Sequence, residues 1–270
     1  MAVTDADVSV VIPCFRSAGS VRRAVLSAAL QSVRPRELIL VDDGSDDDTV
    51  TRIELLRAEF GRDWLRLISL TSNLGAASAR NAGWDDARGQ FVALLDSDDE
   101  WMLNKIERQY AFMMEHPQFA ISGHLAQYAG RSPGVVPPAH QAPSHREVTR
   151  RWVLLSNPMV TPSLMIRRTI PVRFVPGKRH MEDHRFLQEA VFSGLGVARI
   201  EEPLALVHKP AFGASGLSAA LWQMERGELD NYHALRAAGR VSGPLHALLV
   251  AYSLAKFARR LTVTRLRRWY

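Results

Sequence analysis

Apolar residues in the first half of the chain fall into short runs with few polar interruptions, each followed by a segment with apolar positions at helical spacing. Residues 8–13 (VSVVIP), 37–41 (ELILV), 65–70 (LRLISL) and 91–95 (FVALL) are such runs. Their apolar character is nearly continuous, which predicts strands buried on both faces. Between them, residues 20–31 place Val21, Ala24, Val25, Ala28 and Ala29 on one side of a helix. Asp46, Asp47, Asp48 and Thr49 supply an N-cap and first-turn acids for a helix running to about Phe60. A third helix spans residues 76–87, closed by Gly89, and a fourth follows at 101–114. This alternation predicts an α/β fold with a mostly parallel sheet covered on both sides. Such sheets bind ligands outside the carboxyl ends of their strands, so the loops at 14–19, 42–46, 71–75 and 96–100 are where chemistry is expected.

The second half is less regular. Residues 130–144 contain four prolines and read as a surface loop, residues 163–168 and 204–207 as strands, and 184–193 as a helix. The expected organisation is a regular α/β half at 1–115, a less regular half of the same domain at 116–215, and a helical C-terminal extension at 216–270. Composition changes little: 47% hydrophobic and 23% charged residues belong to a folded globular chain. The lone Cys14 excludes a disulfide framework and suits a reducing compartment. There is no basic, apolar leader at the start and no run of the roughly 18–20 apolar residues that spans a bilayer, so a cytoplasmic protein is expected.

Charge does change the picture. Lys256, Arg259, Arg260, Arg265, Arg267 and Arg268 account for the whole net charge of +6, with no acid beside them from 245 onward. The basicity therefore belongs to the tail and does not form a nucleic-acid-binding face. Residues 245–261 also carry an apolar helical face, and Leu266 and Trp269 alternate with the last arginines. That combination suits either packing on the main domain or a helix lying on an anionic membrane, which would place the protein peripherally on the inner face of the cytoplasmic membrane.

Two acidic strings carry the candidate chemistry. Asp42, Asp43 and Gly44 directly follow the ELILV run, where carboxylates suit a ribose, a base or a metal, and where Asp-Gly-Ser is also ordinary turn chemistry. A response-regulator reading needs an acceptor aspartate after the next strand, and only Thr71-Ser72-Asn73 stands there. FVALLDSDDEW puts Asp96, Asp98 and Asp99 within four residues. Oxygen ligands at this density suit Mg²⁺ or Mn²⁺, and the alternative is an acidic cap on the helix that follows. Residues 75–83 (GAASARNAG) are small enough for close helix–sheet approach and carry Arg80, which could meet a phosphate, and Asn81, which could meet a neighbouring loop; no P-loop or GxGxxG pattern is present.

Taken in order, VSVVIPCF, ELILVDDGSDDDT, NLGAASARNAG and FVALLDSDDEW resemble the family 2 glycosyltransferases with a GT-A fold, closely over about residues 8–115 and more loosely to about 210. The resemblance implies a Rossmann-like sheet that holds a nucleotide-diphosphate sugar, a UDP-sugar by preference. Its donor-facing residues here would be Pro13, Phe15, Asp42, Asp43, Asn73, Gly75, Arg80, Asn81, Asp96 and, loosely, Lys209. Mn²⁺ or Mg²⁺ would sit on Asp98, with Asp96, Asp99 and a loosely matched His208 as further ligands. The family's later Glu-Asp pair matches Glu182-Asp183, which implies Asp183 as the base and Glu182 as the group that orients the acceptor, in an inverting displacement. The acceptor would be a saccharide or a lipid-linked saccharide, in polysaccharide or lipopolysaccharide assembly.

Other readings are weaker. His180 and His184 have zinc-ligand spacing but lack the glutamate of HExxH, since Met181 stands there. A sugar nucleotidyltransferase would carry a more glycine-rich, basic loop after the first strand, and a non-catalytic sugar-binding module would have no need of both acid sets. Residues 212–218 suggest a loop able to close over substrate, and Trp101, Trp152 and Trp222 could stack on sugar rings.

Overall fold

A computed structural model describes residues 5–128, 144–208 and 221–266, with helix side chains described up to residue 262. The predicted alternation is present. β1 (Asp5–Cys14), β2 (Arg34–Asp42), β3 (Leu65–Ser69) and β4 (Phe91–Leu94) lie parallel in the order β3-β2-β1-β4, connected through α1 (Val21–Ala29), α2 (Thr49–Phe60) and α3 (Ala76–Asp85). The sheet continues through β8 (Met165–Arg167), antiparallel to β4 and to β6 (Phe119–Tyr128). Strand β9 (Gly196–Val207) runs parallel to β6 and carries β5 (Glu100–Trp101) and β7 (His145–Glu147) antiparallel to it.

The pleat explains why the runs are so largely apolar. Val8, Val10 and Ile12 of β1 enter one core layer with Val25 of α1, Ile53 of α2 and Phe112 of α4 (Lys105–Glu115). Val11 enters the other, with Trp84 of α3, Phe186 of α6 (Glu182–Phe192), Tyr232 of α7 (Leu221–Ala237) and Leu249 of α8 (Gly243–Leu266). With helices on both sides, no strand face needs polar residues. Helix α3 lies very close to the sheet: a Cβ added at Gly83 would stand 2.4 Å from Cγ1 of Val11.

Several boundaries differ from expectation. Residues 100 and 101 form strand β5 rather than the start of a helix, because Glu100 and Trp101 pair with Leu206 and Ala205 and the Trp101 indole donates to Pro162 O at 2.7 Å. Helix α4 starts only at Lys105, so Asp96–Asp99 do not cap it. Asp48 stands at the N-cap of α2 as expected, but the first turn holds no acid; Asp47 Oδ1 accepts from Thr49 N at 3.0 Å and Asp46 pairs with Arg16. Helix α3 ends at Asp85, and Gly89 instead donates its N–H to Ser9 Oγ at 2.8 Å in the turn into β4. β6, β7 and α5 (Arg150–Leu155) were not anticipated.

The C-terminal helices pack on the main domain. Tyr232 of α7 donates to Leu154 O at 2.7 Å, Ser253 of α8 donates to Glu225 at 2.7 Å, and Lys256 Nζ reaches Glu228 at 2.6 Å. Burial alone would raise the Glu228 pKa, but the Lys256 ammonium and the Tyr232 hydroxyl outweigh it and hold it below the usual range. Helix α8 nevertheless leaves Leu248, Tyr252 and Leu254 at 66%, 40% and 44% exposure on its other side. Packing and an outward apolar face therefore coexist. Among the described residues no helix is long and apolar enough to cross a membrane. The proline-rich stretch up to residue 143, Lys209, the 212–218 loop, Arg267, Arg268 and Trp269 lie outside the described residues.

Candidate functional site

A cleft of about 670 Å³ opens over the carboxyl ends of β1, β2 and β4, facing the head of α6. It is lined from the predicted set by Pro13, Phe15, Asp43, Asn73, Gly75, Arg80, Asp96, Asp98, Glu182 and Asp183. Residues separated by up to 170 positions thus meet in one place.

Each wall has a local cause. Beyond β1, Arg16 adopts φ 47°, its N–H donates to Ser45 Oγ at 3.0 Å, and its guanidinium pairs with Asp46 at 2.7 Å, tying the first loop to the second. Asp43 is buried and accepts from Leu74 N and Gly75 N, each at 2.8 Å. A carboxylate doubly held by backbone amides fixes the β3–α3 loop on the cleft wall. Gly75 takes φ 90° there, a conformation that suits glycine. Asn73 accepts from Arg179 at 2.9 Å, which brings the segment before α6 across to this loop.

Arg80 is the centre of the charge arrangement. Its guanidinium is 3% exposed and donates to Asp96 at 2.9 Å and to Glu182 at 3.0 Å. Burial works against its charge, but the two carboxylates outweigh burial and raise its pKa. Both terminal nitrogens of Arg80 are engaged by carboxylates, while the residue still lines the cleft. The guanidinium links the Asp96 loop to the head of α6.

Asp183 is held by two donors, Asn157 Nδ2 at 2.8 Å and the His184 N–H at 2.7 Å. Burial raises its pKa above the usual carboxylate range, against the lowering effect of those hydrogen bonds and of Arg80. Burial raises Glu182 likewise, opposed by Arg80 and assisted by neighbouring Asp183. A carboxylate made more basic in this way is a better proton acceptor near neutral pH. Immediately before the pair, Met181 sits at φ 57°, ψ 29°, a left-handed conformation that costs a residue with a side chain about 1–3 kcal/mol.

Four expected residues are placed elsewhere. Asp42 is buried behind the cleft with Oδ2 accepting from Ser45 N at 3.3 Å. Asn81 uses both ends of its amide on Phe174, at 2.8 and 3.1 Å, and so pins a neighbouring loop. Asp99 is buried and accepts from His208 N at 3.0 Å, and His208 Nε2 pairs with Glu100 at 2.9 Å. Neither Asp99 nor His208 is among the residues that line the cleft; each is engaged in the contacts between the turn after β4, β5 and the end of β9. Of the tryptophans, Trp101 is core, Trp152 lies between Arg146 and Arg199, and Trp222 is 64% exposed. His184 is buried against Val153 O.

Residues outside the expected donor, metal and catalytic sets also line the site: Ser97, Thr161, Arg179, His180 and Met224. Arg179 and His180 adjoin the Glu-Asp pair and were within reach of its motif. Asn157, which orients Asp183, and Met224 come from segments with no local signal of chemistry.

Comparison with known proteins agrees with this architecture. The description "Glycosyl transferase family 2" matches residues 9–173, more than half of the chain. A putative teichuronic acid biosynthesis glycosyltransferase, TuaG of Bacillus subtilis (strain 168), is 39% identical over 118 residues, 43% of this chain and 46% of the relative. An Escherichia coli UDP-Glc:alpha-D-GlcNAc-diphosphoundecaprenol beta-1,3-glucosyltransferase, WfgD, is 35% identical over 109 residues, 40% of this chain and 42% of the relative. The chain thus spans less than half the length of these curated relatives. Among solved structures, S. aureus TarS 1–349 in complex with UDP-GlcNAc superposes with TM-score 0.66 at 21% identity over 92% of this chain and 71% of that one. The mannosyltransferase PcManGT from Pyrobaculum calidifontis, in complex with GDP-Man and Mn²⁺, gives 0.65 at 16% identity over 98% and 81%. With both acidic strings inside the matched stretch, on a sheet shared with these structures, the chain belongs to glycosyl transferase family 2 and has the GT-A fold.

Proposed function

We propose that the protein transfers a sugar from a nucleotide-diphosphate donor, a UDP-sugar first among them, to a hydroxyl of a lipid-linked saccharide during surface-polysaccharide assembly. The observation that carries this reading is the single cleft shared by the Asp43 loop, the Asp96–Asp98 loop and Glu182-Asp183. The relatives named above, one with a UDP-Glc donor and a diphosphoundecaprenol-linked acceptor, support the donor and acceptor classes.

In this mechanism the donor lies along the β1, β2 and β3 loops with its nucleotide near Pro13, Asp43 and Asn73. Asp183 accepts the proton of the acceptor hydroxyl as that oxygen bonds to the anomeric carbon. The bond from that carbon to the diphosphate breaks on the opposite face, so configuration inverts and the nucleoside diphosphate leaves with the bonding pair. Glu182, fixed by Arg80, orients the acceptor.

Mg²⁺ or Mn²⁺ is commonly held by one or two carboxylates together with substrate phosphates, not by a protein cage. Asp96 and Asp98 fit that role: both line the cleft, and Arg80 engages only Oδ1 of Asp96. Among the described residues no larger His, Cys, Asp or Glu group is arranged to hold a metal. A cation bound there supplies positive charge to the leaving diphosphate. UDP or GDP release from UDP-glucose, UDP-N-acetylglucosamine and GDP-mannose, with and without Mn²⁺, tests the donor class and the metal together. Excess EDTA is expected to abolish release and Asp98→Ala to remove most of the Mn²⁺ dependence. Full turnover in EDTA removes the metal from the mechanism, and release from none of the three donors overturns the donor class.

The same reading places the enzyme at an anionic membrane surface through the outward face of α8. After Asp230 the sequence contains no acid, and the basic tail follows the exposed Leu248, Tyr252 and Leu254. Removing the helix is a poor test, since it would strip Glu228 of its Lys256 ammonium and Glu225 of the Ser253 hydroxyl. The double variant Leu248→Ser/Leu254→Ser is expected to melt as wild type does and to lose pelleting with phosphatidylserine vesicles at low salt. Unchanged pelleting would assign membrane contact, if any, to another surface.

A further inference from the structure

The C-terminal extension reaches the catalytic corner at several points. Asn231 of α7 is 1% exposed and donates from Nδ2 to Met181 O at 3.1 Å. The same carbonyl accepts the first α6 helix bond, from Arg185 N at 3.0 Å, and the Arg185 guanidinium returns to Asn231 O at 3.1 Å. One turn away, a Cβ added at Gly227 would stand 2.8 Å from His180 O, and Lys178 Nζ donates to Gly227 O at 3.3 Å. The segment held by these contacts contains Met181, whose left-handed backbone is unfavourable by itself, and leads directly into Glu182 and Asp183. Residue 231 lies outside the stretch that matches the family.

We infer that Asn231 is a positioning residue for glycosyl transfer, holding the Met181–Glu182 peptide in the orientation from which Glu182 and Asp183 act. The inference rests on Glu182-Asp183 being the reactive pair. A carbonyl bound by two donors cannot rotate freely, so the strained corner keeps one conformation. Without the Nδ2 donor the corner can relax toward an ordinary helical or extended backbone, which turns the following two side chains away from the cleft. Gly227 serves the same end by letting α7 approach the His180 backbone closely.

The test uses the full chain and three variants, with nucleotide release from whichever of UDP-glucose, UDP-N-acetylglucosamine and GDP-mannose the wild type turns over. Asn231→Ala is expected to lower kcat by roughly 10-fold to 10²-fold, the scale of a small misplacement, with donor KM within about twofold of wild type. Gly227→Ala, which presses on the same backbone without removing a hydrogen bond, should show the same split. Tyr232→Phe is the control: it removes the bonds to Leu154 O and Glu228 from the same helix without touching the corner, and should keep kcat. Amide exchange over residues 180–185, which needs no substrate, should quicken in Asn231→Ala and not in Tyr232→Phe. Equal slowing by Tyr232→Phe at the same loss of melting temperature would reduce α7 to a general brace and overturn the inference. So would full kcat in both Asn231→Ala and Gly227→Ala. An Asp183→Asn variant with wild-type turnover rejects the catalytic pair itself, whereas an inactive Asp183→Asn beside a fully active Asn231→Ala rejects only the role of Asn231.

Discussion

Asp183→Asn is expected to leave donor binding and the fold intact while lowering kcat by roughly 10²–10⁴, the usual contribution of a positioned general base. Asparagine keeps the shape of the side chain and still offers an oxygen to the His184 N–H, which Asp183 now engages at 2.7 Å. It cannot take the acceptor's proton. The pH behaviour follows from burial, which raises the Asp183 pKa. The base must be ionised to act, so kcat/KM of the wild type should fall on the acid side through a pKa above the ordinary aspartate value of about 3.9. Stability moves the other way. A carboxyl group whose folded pKa lies above its unfolded one binds more protons in the native state, so its ionisation lowers stability as pH rises from the unfolded to the folded pKa. At neutral pH the Asn variant is relieved of that penalty but sets its NH2 against the Asn157 Nδ2 donor, so its melting temperature should stay close to that of the wild type. Loss of activity with a little-changed melting temperature identifies a catalytic group, and wild-type turnover on a working acceptor removes Asp183 from the chemistry.

What was legible in the sequence follows from where burial is two-sided. β1, β2 and β4 are covered on both faces, so their apolar runs are nearly continuous, and their ends, with the acidic loops, could be located, while the edge strand β3 buries only Leu65 fully. β6 mixes Ser122, His124 and Gln127 with apolar residues and β7 is three residues long, so no run announces them, whereas β8 falls inside the strand expected at 163–168 and was legible. The start of α4 was misplaced because a tertiary pairing, Trp101 with Ala205, decides it. The acids at 96–99 read as one cluster, yet a tight turn sends neighbours in different directions: Asp96 to Arg80, Asp98 to the cleft and Asp99 to the His208 amide. Spacing along a chain gives residue types at a loop and not the direction of each side chain. The supports of Asp183 and of the Met181 corner, Asn157 and Asn231, lie 26 and 50 positions away, beyond any local pattern.

Arg80→Met is expected to cost about 3 kcal/mol of stability, the low end of the 3–5 kcal/mol associated with removing one partner of a buried ionic group. The low end applies because the Asp96 side chain keeps 29% exposure and can be partly solvated, whereas Glu182 keeps only 13%. Methionine fills much of the volume beside Phe174, whose ring lies 5.5 Å from the guanidinium, so the loss is mainly electrostatic. The sign of the pH dependence separates charge from packing. Without Arg80 the Glu182 pKa, already raised by burial, rises further, so the variant loses more stability than wild type as pH climbs from the unfolded pKa to that raised value. As pH falls, Glu182 takes a proton and that extra loss shrinks. Urea unfolding at pH 7 and pH 5 should therefore show the gap between wild type and Arg80→Met narrowing at the lower pH. A gap of equal size at both values would mean that lost packing, not two unpaired carboxylates, destabilises the variant. Arg80→Lys should fall between the two proteins, since a single ammonium cannot present the two diverging donors that reach Asp96 and Glu182 together.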